Sequence, residues 1–314
     1  MLKKHAYLII SHHNFEQLMF LLSTIDYNDN DIFIMIDRKS NISRSQLDSI
    51  KNSVIKSKIF FTKRINIYWG DYSQILAELE LIQLAVNTGS YDYFHILSGD
   101  DLPLQSQDKI HKFFDEHPQK VFLSLADRRV NFQNIIDRVK YYHISPKLTG
   151  RSKSVSIMQL SFYFRALDHF FLLIQKLLKI NLVEKYHLEV DYASNWMSID
   201  FDTAKLILEN KKWISKVFRH SITADELFVP ILLKKHNLYN KIFNNSRIGD
   251  DKYAFQGSLN YVNWWDGSPY TWQDGDEVEI DWVIRKGHFF SRKFNLEKSP
   301  ILKEFIVQKL NDEK

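Results

Sequence analysis

A chain of 314 residues with 45% hydrophobic and 25% charged side chains has room for one large domain or two small ones, and its composition excludes a disordered, collagenous or coiled-coil protein. Against 42 Lys and Arg stand 38 Asp and Glu; the resulting net charge of +4 is too small to argue for nucleic acid and sits with an anionic ligand or a membrane surface. There is no cysteine, hence no disulfide, thiolate metal site or cysteine nucleophile, which points to a reducing cytosol.

The first apolar run, residues 6–10, is too short for a signal-peptide core and ends at His12-His13. Residues 7–10 read as a buried strand, 15–24 as a helix with Leu18, Leu21 and Leu22 inward, and 32–36 as a second strand. A second helix (46–53), a third strand (59–61), an amphipathic helix (72–86) and a fourth strand (93–97) follow. This alternation predicts an α/β domain with a mainly parallel central sheet flanked by helices. Ligands of such sheets bind beyond the carboxyl ends of the strands. Residues 11–14, 37–40, 68–72 and 98–103 should therefore share one edge.

Beyond Pro118 the pattern is less regular. Residues 121–125 read as a strand, 128–156 as a basic, loop-rich stretch, and 160–178 as an aromatic helix interrupted by Arg165, Asp168, His169, Gln175 and Lys176. That helix falls short of the ~20 apolar residues of a membrane span. A core helix is the favoured reading; a membrane-surface helix is the alternative, kept open by Lys176, Lys179 and Lys185. A strand-like turn around Trp196, a helix over 201–210 and a helix starting near Thr223 and crossing Pro230 come next. The segment 253–294 holds four of the seven Trp. Without an internal repeat or low-complexity linker, residues 1–314 are expected to form a single domain.

Several polar groups at predicted strand and helix ends can carry chemistry. Asp37, at the tip of the second strand, suits a nucleotide ribose or base, and equally a simple turn. Adjacent Asp100 and Asp101 suggest a divalent metal, or turn chemistry before Pro103. Asp71 is read as a helix cap. Asp225 and Glu226 favour a helix start, while Glu226 is also a candidate general base. Arg292 and Lys293 are either solvated surface or a cationic pair that meets a leaving diphosphate. The twelve His show no metal-ligand spacing, and no glycine-rich phosphate loop occurs.

In order along the chain, Ala6-Tyr7-Leu8-Ile9-Ile10-Ser11-His12, Ile34-Met35-Ile36-Asp37, Trp69-Gly70-Asp71-Tyr72-Ser73 and Ser98-Gly99-Asp100-Asp101-Leu102-Pro103 resemble the core-2/I-branching enzymes, glycosyltransferase family 14, which also holds the protein xylosyltransferases. Ser194-Asn195-Trp196, Thr223-Ala224-Asp225-Glu226, Tyr261-Val262-Asn263-Trp264 and Phe290-Ser291-Arg292-Lys293-Phe294 extend the resemblance over nearly the whole chain. It implies a GT-A-type fold and inverting transfer from a UDP-sugar, typically UDP-GlcNAc, to a sugar hydroxyl. Glu226 matches the family's base, and Asp37 its nucleotide-contacting aspartate. Asp101 matches a turn motif, which weakens the metal reading, and Lys293 with Arg292 matches a metal-free diphosphate site, so no metal or other cofactor is expected. Ser11 and His12 complete the nucleotide-sugar set. Arg138, Lys140, Trp196, Asp225 and Trp264 are the candidate acceptor or sugar contacts, with buried core the alternative for at least one tryptophan.

On this reading 1–125 is the nucleotide-binding half and 126–314 the acceptor-binding and catalytic half. Eukaryotic members carry an amino-terminal anchor and cysteines, so the expectation is a bacterial member, cytoplasmic or peripheral on the inner membrane face, acting on a glycan or lipid-linked oligosaccharide in surface polysaccharide synthesis. The alternatives are a glycoside hydrolase, which needs an acid/nucleophile or acid/base pair across the bond, and a non-catalytic carbohydrate-binding protein.

Overall fold

The computed structural model describes residues 4–126, 132–144, 146–149 and 155–311, with only the backbone of 149 and 155–161. Parts of the basic stretch 128–156 therefore lie outside the described residues. Among the described residues ten strands appear in chain order: β1 (His5–Ser11), β2 (Asn30–Ile36), β3 (Lys58–Phe61), β4 (Tyr93–Ser98), β5 (Leu102–Pro103), β6 (Leu125–Ala126), β7 (Ser198–Asp200), β8 (Arg247–Ile248), β9 (Asn260–Val262) and β10 (Phe290–Arg292). The central sheet runs β3-β2-β1-β4-β7. Its first four strands are parallel and β7 closes the edge antiparallel.

The strands are hydrophobic almost throughout because both faces are covered, as expected for a parallel sheet between helices. Strand periodicity sorts their side chains. Ala6, Leu8, Phe33, Met35, Phe94 and Ile96 enter one core with Ile75, Leu79 and Ile82 of the helix α1 (Ser73–Thr88). Tyr7, Ile9, Ile32, Ile34 and Leu97 enter the other with Leu18, Leu21 and Leu22 of the helix Phe15–Thr24. The expected α/β class is the observed one.

The second half differs from its sequence reading in several elements. The expected strand at 121–125 shrinks to bridges at Val121 and Phe122 and the short β6. The basic stretch contains a helix, Phe132–Lys140, whose Ile135 and Val139 are buried. Thr223 does not open an α-helix: a 3₁₀ turn, Ala224–Glu226, precedes the helix Phe228–Lys235. Pro230 is tolerated because it falls in that helix's first turn, where backbone N–H groups have no intrahelical partner. Asp71 does cap α1, its Oδ1 accepting from the Ser73 N–H at 2.9 Å.

The aromatic helix, Val155–Leu177, is not a core helix. Phe162, Tyr163, Leu167, Phe170, Leu173 and Leu177 are all exposed. Among the described residues no helix is long and apolar enough to cross a membrane.

A separate three-stranded sheet, β5-β10-β9, pairs residues 290–291 with 102–103 and fixes the second half onto the end of β4.

Candidate active site

The carboxyl ends of β1, β2 and β4 open into a cleft of about 1150 Å³, slightly above the usual size of small-molecule pockets. His12, Asp37, Ser98 and Asp100 form its strand-end floor. Arg138, Tyr192, Asn195, Asp225 and Glu226 form the opposing wall, and Trp196, Trp264, Arg292 and Lys293 line the remainder.

Asp37 is held by its own turn. Its N–H donates to the Ser11 carbonyl at 2.9 Å, and its Oδ1 accepts from the N–H groups of Lys39 (2.9 Å) and Ile67 (3.4 Å). The Lys39 ammonium stands 3.4 Å from Oδ2, and the Arg64 guanidinium ties the carbonyls of Asp37 and Ser40. His12 lines the cleft and stacks on His13; burial first, and His13 second, lower its pKa and favour the neutral imidazole.

Asp100 and Asp101 face opposite ways. Asp101 is fully buried and outside the cleft lining: it accepts from the Ser98 N–H (2.9 Å) and hydroxyl (2.7 Å) and from Asn260 Nδ2 (3.3 Å). The expected donor contact at Asp101 is thus a tie between the β4 turn and β9. Asp100 is the carboxylate that lines the cleft, 3.9 Å from both His13 Nε2 and Lys293 Nζ. Ser11 also misses the cleft. As the last residue of β1 it points beneath Gly99, where a Cβ would stand 2.9 Å from its hydroxyl, so only glycine allows that approach. The two aspartates of the alternative metal reading are therefore not presented together, and among the described residues no group of three or more His, Asp or Glu is arranged to hold a metal ion.

Arg292, at the end of β10, is buried to 7% exposure with its guanidinium 4.0 Å above the Trp196 ring. Its Nε is 3.5 Å from Asp101 Oδ1, and among the described residues neither Nε nor Nη1 has a hydrogen-bond partner. Burial opposes its charge, which Asp101 and Asp100 partly offset. A buried cation with free donors beside the partly exposed Lys293 gives this end of the cleft donors of the kind that suit an anion. Trp196, half-buried, packs against a hydrophobic core beneath the cation, Trp264 is 52% exposed, and the fully buried tryptophan is Trp272.

Glu226 ends the 3₁₀ turn. The preceding Thr223 has φ of 49° and donates its N–H to the Gly70 carbonyl at 2.7 Å. Gly70 itself has φ of 71°, a region that disfavours any side chain. The turn is further fixed by Ala193, whose N–H donates to the Glu226 carbonyl at 3.0 Å. Ala193 is steadied in turn by Asp191, which accepts from both terminal nitrogens of Arg247 (2.9 Å each), from Lys234 (2.9 Å) and from Tyr239 (2.7 Å).

The Glu226 carboxylate pairs with Arg138 Nη1 at 2.9 Å and with the Tyr192 hydroxyl. Burial raises its pKa, and Arg138 and Tyr192 hold back part of that rise. Asp225 is pushed up to about 7 by burial and then by the Glu226 charge. Its Oδ2 accepts from Gln74 Nε2 (2.9 Å) and Asn195 Nδ2 (3.2 Å). A carboxylate of raised pKa in a cleft wall has the chemistry of a general base.

Lys140 is not brought to the site. It sits two residues after Arg138 on the same helix, which turns it away, and its ammonium lies 5.5 Å from the Tyr141 ring centroid. Lys39 and the 83% exposed Trp69 line the cleft from the strand-end stretches 37–40 and 68–72, as expected, whereas Gln74 and Tyr192 line it without a sequence reading of their own.

The model of the Core-2/I-Branching enzyme family matches residues 5–281. No curated protein matches the sequence. Among solved structures, mouse xyloside xylosyltransferase 1 (apo form) is similar over 93% of this chain and 99% of its own, at 10% identity and a TM-score of 0.39. Core-mannan synthase A from Aspergillus fumigatus (Mn/GDP form) is similar over 74% of this chain and 69% of its own, at 11% identity and a TM-score of 0.34. The mannosyltransferase Ktr4p from S. cerevisiae is similar over 72% and 66%, at 12% identity and a TM-score of 0.31. These likenesses are too weak to carry an argument, whereas the family model covers most of the chain. The chain belongs to the Core-2/I-branching enzyme family, and is a glycosyltransferase.

Proposed function

We propose that the protein transfers a sugar, N-acetylglucosamine by the family resemblance, from a UDP-sugar to a glycan hydroxyl with inversion and without a divalent metal. One observation carries this reading: a single cleft joins a strand-end carboxylate (Asp37), a buried cation with free donors (Arg292, beside Lys293) and a carboxylate of raised pKa (Glu226). The three match a nucleotide, its diphosphate and the attacking hydroxyl. In the proposed step the acceptor oxygen attacks the anomeric carbon while Glu226 takes its proton. The bond from that carbon to the β-phosphate oxygen breaks, and the electron pair leaves with UDP. Lys293 and Arg292 meet the growing diphosphate charge. Trp264 and Trp196 offer flat apolar faces to a sugar.

The setting we propose is surface-polysaccharide assembly at the cytoplasmic face of a bacterial membrane, with a lipid-linked oligosaccharide as the acceptor class. The test is a panel of UDP-sugars scored for protection against thermal unfolding, followed by UDP release with candidate acceptors in excess EDTA. Protection by one UDP-sugar and acceptor-dependent release are expected. Sugar release from glycosides without any nucleotide would replace the reading by a hydrolase. Glycan binding with no UDP-sugar turnover would replace it by a binding protein, and loss of transfer in EDTA restored by manganese would overturn the metal-free step.

A further inference from the structure

The helix Val155–Leu177 is amphipathic in an inverted sense. Asp168 and Gln175, two turns apart, face the body of the protein. Gln175 both accepts from the Tyr142 N–H and donates to the Tyr142 carbonyl, at 2.8 Å each, and Asp168 accepts from the Ile144 N–H at 2.7 Å. Tyr163, Phe170 and Leu177 share the same seven-residue spacing on the opposite side, and their exposures are 66%, 61% and 81%. The polar groups thus fix the helix to the fold while its apolar stripe is turned to solvent. A contiguous apolar face of this kind marks an interaction site.

The charges beside the stripe indicate what covers it. Arg165 and Lys176, three turns apart, run along one edge, and Lys179 and Lys185 continue beyond the helix. Over residues 162–185 the exposed acid set against these cations is Glu184. Two copies of the chain meeting on this stripe would bring like charges together, whereas anionic lipid headgroups complement them. The surface also reaches the cleft. The short helix Pro146–Thr149 packs against Val155–Leu177, Pro146 lies beside Gly70, and Lys147 stands over the Tyr68 ring at 5.7 Å. Trp69, at the cleft mouth, is next in line.

We infer that Val155–Leu177 lies in the interface plane of an anionic bilayer, its Tyr163–Phe170–Leu177 stripe in the acyl boundary and its lysine and arginine edge among the headgroups. The docking stands on these contacts alone; that it brings a lipid-linked acceptor to the Trp69 mouth rests on the transferase reading above.

Flotation of the full chain with phosphatidylcholine vesicles, and with vesicles one-third phosphatidylglycerol, tests it. Binding to the anionic vesicles at low salt, weakened by added salt, is expected. Phe170→Glu with Leu177→Glu should abolish flotation without moving the thermal transition. Arg165→Glu with Lys176→Glu should weaken it at least tenfold, since each lost cation is worth about fivefold at an anionic surface. UDP release with a water-soluble acceptor should be unchanged in both, which separates failure of docking from failure of the transfer reading. The inference is overturned if the parent chain fails to float with anionic vesicles, or if the apolar-stripe variant floats as well as the parent. It is likewise overturned if that variant unfolds, because the face is then core, or if it converts a dimer to a monomer while the parent ignores vesicles.

Discussion

The two sides of the cleft are made by different means. The floor is a set of strand tips, and its residues are aligned because parallel strands in one register end together: Ser11 pairs with Ile36, and Ile10 with Ser98. The wall is assembled from separate segments. Arg138 comes from the helix Phe132–Lys140, Tyr192 from a loop and Glu226 from a 3₁₀ turn; Val139, Ala193 and Ala224 beside them enter a hydrophobic core, and their alignment is set by a left-handed turn at Thr223, a close contact with Gly70 and a buried ion cluster at Asp191. The floor therefore inherits its geometry from strand pairing, while the alignment of the wall depends on a few polar contacts. The wall should be the side where single substitutions do the most harm, in chemistry and in stability.

The largest effect is expected at Glu226. Glu226→Gln keeps the shape and the Arg138 contact but cannot take a proton, so acceptor-dependent UDP release should fall ~10²–10⁴-fold, with UDP-sugar protection in thermal unfolding retained. In the parent, the rate should fall as pH drops through a Glu226 pKa that burial places above the usual glutamate range. A variant with near-normal turnover would remove Glu226 from the reaction.

Asp191 tests the wall's support. Burial alone would raise its pKa, but Arg247, Lys234 and Tyr239 hold its carboxyl far below the usual range. A carboxyl depressed in the folded state contributes stability above its unfolded pKa near 4, and that contribution is lost as pH falls further. Asp191→Ala leaves Arg247 and Lys234 without their partner and should cost ~3–5 kcal/mol in urea unfolding at pH 7. The matching cut on the floor, Asp37→Ala, removes a side chain that caps its own turn and holds the Ile67 N–H by a long contact, and should stay below about 2 kcal/mol. Equal losses would dissolve the distinction between the two sides.

At the anion end, Lys293→Ala should weaken UDP binding ~10–100-fold, the worth of one charge-assisted hydrogen bond, and slow turnover with it. Calorimetric titration with UDP in EDTA reads this directly. Unchanged affinity would return Lys293 to ordinary surface charge.

This same division governs what the sequence could tell. The first four strands and their helices are readable because their hydrophobic runs repeat with strand and helix periods and are bounded by polar turns, as at Ile36-Asp37 and Ser98-Gly99. The strand-end rule then aligns His12, Asp37 and Asp100 without further information. It does not say which way a turn residue faces, so Asp101 was expected in the cleft although its carboxylate is consumed by Ser98 and Asn260. The wall has no period to read. Tyr192 reaches Glu226 only because Asp191 beside it is clamped by residues 43 to 56 positions away, from Lys234 to Arg247. The aromatic helix shows a further limit. Its periodicity is amphipathic whichever face is inward, and only the hydrogen bonds of Asp168 and Gln175 reveal that the polar face is the anchored one.

The smallest effect, and the one of opposite sign, concerns Glu78. It lies one turn after Gln74 on α1, buried beneath Asp225, and among the described residues its Oε2 has no hydrogen-bond partner. Burial, and then the Asp225 charge, push its pKa well above the usual glutamate range. Asp225 is displaced the same way, to about 7. For a carboxyl raised in the folded state the sign is reversed relative to Asp191. The native state holds the proton more tightly than the unfolded chain, so stability is intact below the unfolded pKa near 4 and falls as pH rises toward the folded pKa. Glu78→Gln keeps the volume and removes the charge. It should therefore raise the melting temperature at pH 8, by a few degrees for ~1–2 kcal/mol, and leave it nearly unchanged at about pH 4. Because native Glu78 already holds its proton where Asp225 titrates, the acid limb of the rate profile should stay where Glu226 sets it. Melting curves at the two pH values, paired with that profile, decide the matter. A variant destabilised at both pH values would mean that Glu78 supports the wall through a contact its carboxyl makes.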